Sequence, residues 1–131
     1  DTIDKFLKVL SEEPGSPQKI RDLHAQIGKD FPDLRAVRNS AQHLEDRARG
    51  LGAGRVPKPL ELKPLDNGFI NAPQGALKLN NLFGTKFGCT MADGHYGEVD
   101  ISAESLHKLQ LVIQEVFNSF EWEGPKDHLP R

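Results

Sequence analysis

The chain has 131 residues, of which 37% are hydrophobic and 27% are charged, a globular composition that excludes a disordered protein. No apolar run approaches the roughly 20 residues needed to cross a bilayer, so we expect no membrane partner. The formal net charge of −2 argues against a dedicated nucleic-acid-binding protein of the usual basic kind.

Three helices are predicted in the first part of the chain. Apolar side chains recur at helical spacing over residues 1–12 and again over 17–28. A third amphipathic stretch predicts a single helix over 33–49, in which Asp33 is the expected N-cap and Gly50 ends the helix.

The second half of the chain changes character twice. Residues 50–66 are rich in glycine and proline and predict an extended connection. Residues 67–101 alternate apolar and polar side chains and predict β-structure, with a tight hairpin turn at Asp93-Gly94. A helix over 103–120 follows, and the tail, 121–131, contains two prolines.

The cysteine content indicates the compartment. Cys89 is the sole cysteine, so an internal disulfide is impossible, and the sequence contains no acceptor site for N-glycosylation. Both features are typical of a reducing compartment, and we expect a cytoplasmic protein. Because the chain starts at Asp1 and not at methionine, we also expect further sequence before it.

The most specific chemical feature is the run from Arg38 to His43 in the third predicted helix. Asn39 and His43 are four residues apart, so they are neighbours on one helix face, and Asp46 and Arg47 extend that face. Arg38 lies about 140° away around an ideal helix. A long arginine side chain can partly close that gap, and two copies of the helix facing each other in a dimer would close it better.

Charge is concentrated around this run. The segment from Arg35 to Lys58, which contains the run, carries four more cations than anions. This segment could therefore bind phosphate although the whole chain is mildly acidic. The cations are Arg35, Arg38, Arg47, Arg49, Arg55 and Lys58, and the anions are Glu45 and Asp46. We take Arg35, Asp46 and Arg47 as candidate binding residues beside the run.

The residue types in the run favour chemistry on RNA. A histidine moves protons near neutral pH, and an arginine holds a phosphate through parallel hydrogen bonds. An asparagine can orient the imidazole or bind a substrate oxygen. Because RNA carries its own nucleophile, the 2′-hydroxyl, such a site could cleave it without a metal and leave a cyclic phosphate.

The pattern R-N-x-x-x-H, followed by Leu44-Glu45-Asp46-Arg47, resembles the signature of the HEPN superfamily, the higher eukaryotes and prokaryotes nucleotide-binding proteins. The resemblance implies a small helical bundle that dimerises around a shared cleft. It implies a metal-independent endoribonuclease in a toxin–antitoxin, phage-defence or RNA-processing role. It also implies Arg38 as the phosphate-binding residue, His43 as the catalytic histidine, and Asn39 as the polar residue that commonly follows the arginine.

These observations together predict a single domain, 1–131, of α+β class and predominantly helical. The β-rich stretch would then be a small antiparallel insertion before the last helix of a HEPN-like bundle. RNA, a second copy of the chain and an antitoxin protein are the expected partners.

Two alternatives compete with the ribonuclease hypothesis. A non-catalytic HEPN-like module would use the same helix to bind a protein partner or a nucleotide. A plain structural domain would leave the run on a solvated helix face, where Glu45, Asp46 and Arg47 would form surface ion pairs. The five histidines show none of the close pairing typical of metal sites, so neither a metal nor a cofactor is expected.

Overall fold

The computed structural model describes residues 1–56 and 58–121. They form an α+β structure of helices and two small antiparallel sheets. The helices are α1 (Thr2–Glu12), α2 (Gln18–Asp30), α3 (Leu34–Gln42), α4 (Leu44–Ala48) and α5 (Ala103–Asn118). The strands are β1 (Leu65–Asp66), β2 (Asn71–Ala72), β3 (Asn81–Phe83), β4 (Lys86–Thr90) and β5 (Tyr96–Asp100).

The chain divides into two compact units, and the prediction of a single domain stays a prediction. Of the described residues, one unit contains Asp1–Asp30 and those from Ala103 to Glu121, and the other is Phe31–Ser102. Within the described ranges, no helix combines the length and the apolar character needed to cross a membrane. The predicted tail lies outside the described residues, apart from Glu121.

The first unit is helical, and α2 packs against both α1 and α5. Its buried apolar side chains follow the helical spacing seen in the sequence, as expected when amphipathic faces meet. They are Leu7, Ile20, Leu23, Ile27 and Val112. A polar pair lies among them, because the buried carboxylate of Asp4 is 3.2 Å from Nε2 of His24.

The second unit combines α3, α4 and both sheets. Strands β3, β4 and β5 form an antiparallel sheet in that order, and β1 pairs with β2. Helix α3 packs against β4 and β5, where Val37, Cys89 and Thr90 are buried. The hairpin turn predicted at Asp93-Gly94 is confirmed, since it joins β4 to β5 and Gly94 has a φ of 88°.

Asp33 is the N-cap residue of α3, as predicted, but its side chain connects the helix to the sheet. Its side chain makes no hydrogen bond to the first turn of α3. The carboxylate oxygen Oδ2 instead accepts a hydrogen bond from the backbone N–H of Glu98 on β5, at 3.1 Å. This contact helps to fix the start of α3 against the sheet.

Two predicted elements differ from the structure. The single helix predicted over 33–49 is interrupted at His43, so that α3 and α4 are separate helices. Within residues 67–101, for which β-structure is predicted, the alternating segment 76–80 is not a strand. It instead exchanges backbone and side-chain hydrogen bonds with Thr90, whose N–H donates to the carbonyl of Lys78 at 2.7 Å.

Candidate functional site

His43 occupies the junction between α3 and α4. Its backbone angles, φ −116° and ψ 46°, are outside the helical range and interrupt the helix at this residue. Its backbone N–H still donates to the carbonyls of Asn39 and Ser40, at 3.1 and 3.2 Å. Because the side chain is 61% exposed, the imidazole is open to a solvent-borne ligand.

The imidazole of His43 faces a cleft of about 470 Å³. Four segments of the second unit form its walls: α3, α4, the glycine-rich connection, and the turn between β4 and β5. The lining residues are Ala36, Asn39, His43, Asp46, Arg47, Ala53, Gly54, Met91, Ala92 and Asp93. The cleft is therefore polar on its helical side and lined mainly by small side chains or a methionine elsewhere.

Arg47 forms part of the wall but is a buried residue, only 3% exposed. Its Nε donates to Oγ of Ser40 at 3.2 Å, and a second guanidinium nitrogen donates to the carbonyl of Leu51. These contacts tie α4 to α3 and to the start of the glycine-rich connection. The guanidinium thus stabilises the junction that presents His43, and it also gives one wall of the cleft a fixed positive charge.

Two carboxylates, those of Glu45 and Asp46, lie beside the imidazole, and a third, that of Asp93, lines the same cleft. Oε1 of Glu45 lies 3.7 Å from Nδ1 of His43, beyond hydrogen-bonding distance. Asp46 is 4.0 Å from the exposed guanidinium of Arg49, and Asp93 is 3.3 Å from the imidazole of His95. The cleft is therefore mildly acidic around its one buried cation.

The structure brings four of the six candidate residues to one place. Asn39, His43, Asp46 and Arg47 line the same cleft, although a helix break separates the first pair from the second. Among the described residues, the lining includes neither Arg35 nor Arg38. Arg35 is exposed, and Arg38 is half-buried.

The remaining wall of the cleft includes residues that the sequence did not suggest. Asp93 and Met91 come from the turn region that follows β4, some 50 residues from His43 in the chain. Asp93-Gly94 signals a turn in the sequence, but it gives no indication of which helix the turn approaches. That information depends on the long-range packing of α3 against β4 and β5.

The turn region also borders a second polar cleft of about 410 Å³, which includes His95 and Tyr96. The pKa of the Tyr96 phenol is raised, mainly by burial and then by the nearby carboxylate of Glu98. Glu98 in turn accepts a hydrogen bond from Lys86 at 2.7 Å, which raises the pKa of that lysine. Lys86 and Glu98 therefore satisfy each other, whereas the buried phenol oxygen of Tyr96 has no hydrogen-bond partner among the described residues.

Cys89 is not a reactive thiol, because it is buried and hydrogen-bonded. Its thiol is buried and donates to the carbonyl of Val37 at 3.6 Å. Burial raises the pKa of the thiol, an effect that Arg47 only partly offsets. A raised pKa in the folded protein means that folding favours the protonated thiol. The contribution of this thiol to folding stability is therefore complete below the ordinary thiol pKa. That stability is lost as the pH rises through the raised value.

Comparison with protein-family models, with curated proteins and with solved structures found no match to this chain. The candidate site is therefore defined by its own geometry: an accessible imidazole, a neighbouring amide and a buried guanidinium on the walls of one cleft.

Proposed function

We propose that the chain is a HEPN-like, metal-independent endoribonuclease whose active cleft contains His43. One observation carries the proposal. The exposed imidazole of His43, the amide of Asn39 and the guanidinium of Arg47 line a single open cleft. A proton-transfer group, a polar orienting group and a cation are the parts that attack by the RNA 2′-hydroxyl requires.

In this scheme His43 takes the proton of the 2′-hydroxyl as that oxygen bonds to phosphorus, and the protonated imidazole gives the proton to the 5′-oxygen as the P–O5′ bond breaks. Asn39, one helical turn before His43, binds a substrate oxygen. Arg47 contributes positive charge from the wall, at the cost of little side-chain entropy because its position is already fixed by Ser40 and Leu51.

Arg38 enters the scheme through a second copy of the chain. It does not line the cleft of its own chain within the described residues, whereas the resemblance to the HEPN superfamily assigns it to phosphate. A symmetric dimer that faces one α3 with another would bring Arg38 of one copy toward His43 of its partner. The HEPN-like bundle, the dimer and the antitoxin partner are all parts of this proposal.

A second candidate function rests on the charges of the cleft. Glu45 and Asp46 lie beside His43 and Asp93 lines the same cleft, so these carboxylates repel phosphate, and Arg47 is already hydrogen-bonded. A non-catalytic module that binds a basic segment of a protein partner would suit this charge. It predicts that the purified chain leaves RNA intact.

Cleavage of single-stranded RNA in excess EDTA separates the two functions. The purified chain is compared with its His43→Ala and Arg38→Ala variants, each shown to be folded by circular dichroism. We expect cleavage that leaves cyclic phosphate ends. His43→Ala should lose roughly 100- to 10,000-fold in rate, as when an acid–base group is removed. Arg38→Ala should lose roughly 100- to 1,000-fold, as when a group that stabilises developing charge is removed. Absence of cleavage by the unmodified chain, or equal cleavage by all three proteins, would contradict the catalytic proposal.

A further inference from the structure

Three side chains at the junction of α3 and α4 form a group with metal-ligand chemistry. His43, Glu45 and Asp46 each offer one ligand atom, and these atoms all lie within 4.8 Å of one another. An ion bound at about 2.1 Å from each donor requires donor atoms no more than roughly 4 Å apart. Small rotations of exposed side chains are enough to reach that spacing.

The helix break creates this arrangement. In a continuous α-helix, residues two positions apart point about 200° away from each other, so His43 and Glu45 could not approach. The non-helical angles at His43 turn its imidazole over the first turn of α4, 3.7 Å from the carboxylate of Glu45. The spacing H-x-E-D therefore acts as a ligand set only because the chain bends there.

The charge balance of the group favours a cation. Glu45 and Asp46 add two negative charges beside the imidazole. The exposed guanidinium of Arg49 is 4.0 Å from Asp46 and offsets part of that charge, whereas Arg47 is buried and hydrogen-bonded to Ser40. Asp93, on the same cleft, could add a further oxygen donor.

We propose that His43, Glu45 and Asp46 bind a divalent transition-metal ion, with zinc as the best match. One imidazole nitrogen and two carboxylate oxygens are a donor set that zinc accepts, whereas magnesium and calcium prefer oxygen alone. The cleft of about 470 Å³ beside the ligands leaves room for water or another ligand to complete the coordination.

One consequence of this site rests on the proposed function. A metal ion bound to His43 uses the nitrogen lone pair that proton transfer needs. Zinc should therefore inhibit RNA cleavage, and EDTA should restore it. The metal would act as a regulator of the cleft and would not take part in the reaction.

Zinc binding is tested by calorimetric titration of the whole chain with zinc chloride. We expect saturable binding of one ion per chain. His43→Ala, Glu45→Gln and Asp46→Asn should each weaken binding at least as much as the roughly 10- to 100-fold that loss of an outer-sphere partner commonly costs. Because the side chains of His43 and Glu45 are 61% and 67% exposed, those substitutions should leave the fold intact.

The chain provides a matched control in His95. It too is exposed and lies 3.3 Å from a carboxylate, that of Asp93, but the pair has no third ligand in the described residues. His95→Ala should bind zinc like the unmodified chain. No saturable binding, or equal binding by all the variants, would overturn the metal site.

The metal site and the nuclease can fail separately. A chain that binds zinc through the three ligands but never cleaves RNA would support the site and remove only the proposed inhibition. A chain that cleaves RNA but shows no zinc binding would support the nuclease and refute the site. Calorimetry and cleavage are therefore measured on the same preparations.

Discussion

At the residue scale, Arg47 in α4 and Arg49 at the C-terminal end of that helix have different roles. Arg47 is buried and donates to Ser40 and to the carbonyl of Leu51, whereas the side chain of Arg49 is 71% exposed. When a buried guanidinium is removed, the acceptors of its hydrogen bonds are left unsatisfied, and this lowers stability. Arg47 should therefore contribute to stability as well as to the charge of the cleft.

Replacement of Arg47 by alanine should lower the free energy of unfolding by about 2–4 kcal/mol, because one buried and one half-buried acceptor lose their donor. Arg49→Ala is the matched control and should change it by no more than about 0.5 kcal/mol, as is usual for an exposed side chain. Urea denaturation of both variants measures the difference. Equal stability of the two variants would show that the buried contacts of Arg47 contribute nothing.

The sequence indicated that Asn39, His43, Asp46 and Arg47 would be near one another, because their spacing falls on one helical face. It could not show that Arg47 would be buried, since arginine is usually an exposed residue. It also could not place Asp93 on the same cleft, because that contact depends on tertiary packing and not on local spacing.

At the element scale, the helix break at His43 was not predictable from the sequence. No glycine or proline lies between Leu34 and Ala48, so local rules favour one continuous helix. Tertiary contacts of α4, especially that of Arg47 with Ser40, accompany the break. The turn between β4 and β5 was predictable, because Asp93-Gly94 supplies the residue types that a tight turn requires.

The two hairpin turns of the three-stranded sheet provide a stability test. Gly84 and Gly94 both have positive φ, at 59° and 88°, but a Cβ on Gly84 would meet no atom within 4 Å. A Cβ on Gly94 would collide with the carbonyl oxygen of Glu61. We expect Gly84→Ala to cost about 1 kcal/mol and Gly94→Ala about 3 kcal/mol or more, because a clash adds to the strain.

Thermal denaturation of the two glycine variants measures this difference. Since the turn of Gly94 leads into the wall of the cleft through Asp93, the Gly94 variant should also lose RNA cleavage or zinc binding before it unfolds. A Gly94→Ala protein as stable as the Gly84→Ala protein would contradict the close approach of the turn to Glu61.

At the scale of the whole molecule, the α+β class follows from hydrophobic spacing at period 3.6 and period 2. The division into one unit with residues 1–30 and 103–118 and another with residues 31–102 does not follow from this spacing. It depends on which amphipathic faces pack against one another. In the proposed dimer, each cleft would contain residues from both chains, and the sequence of one chain does not show that assembly.

Mixing of two inactive variants tests that dimer. If Arg38 of one copy serves His43 of the other, a dimer of one Arg38→Ala chain and one His43→Ala chain has one intact cleft. An equal mixture, unfolded and refolded together, should regain about a quarter of the original activity, since half the dimers are mixed and each has one intact cleft of two. A mixture as inactive as its components would show that the two residues do not act across a dimer.

The most direct test of the central claim is the rate of RNA cleavage in excess EDTA by two alanine variants, His43→Ala and His107→Ala. Both histidines are exposed, but His107 lies on α5 and outside the cleft. A cleft that works through His43 predicts a loss of at least about 100-fold for His43→Ala and an unchanged rate for His107→Ala. Equal rates for the two variants would contradict the assignment of His43 as the acid–base residue.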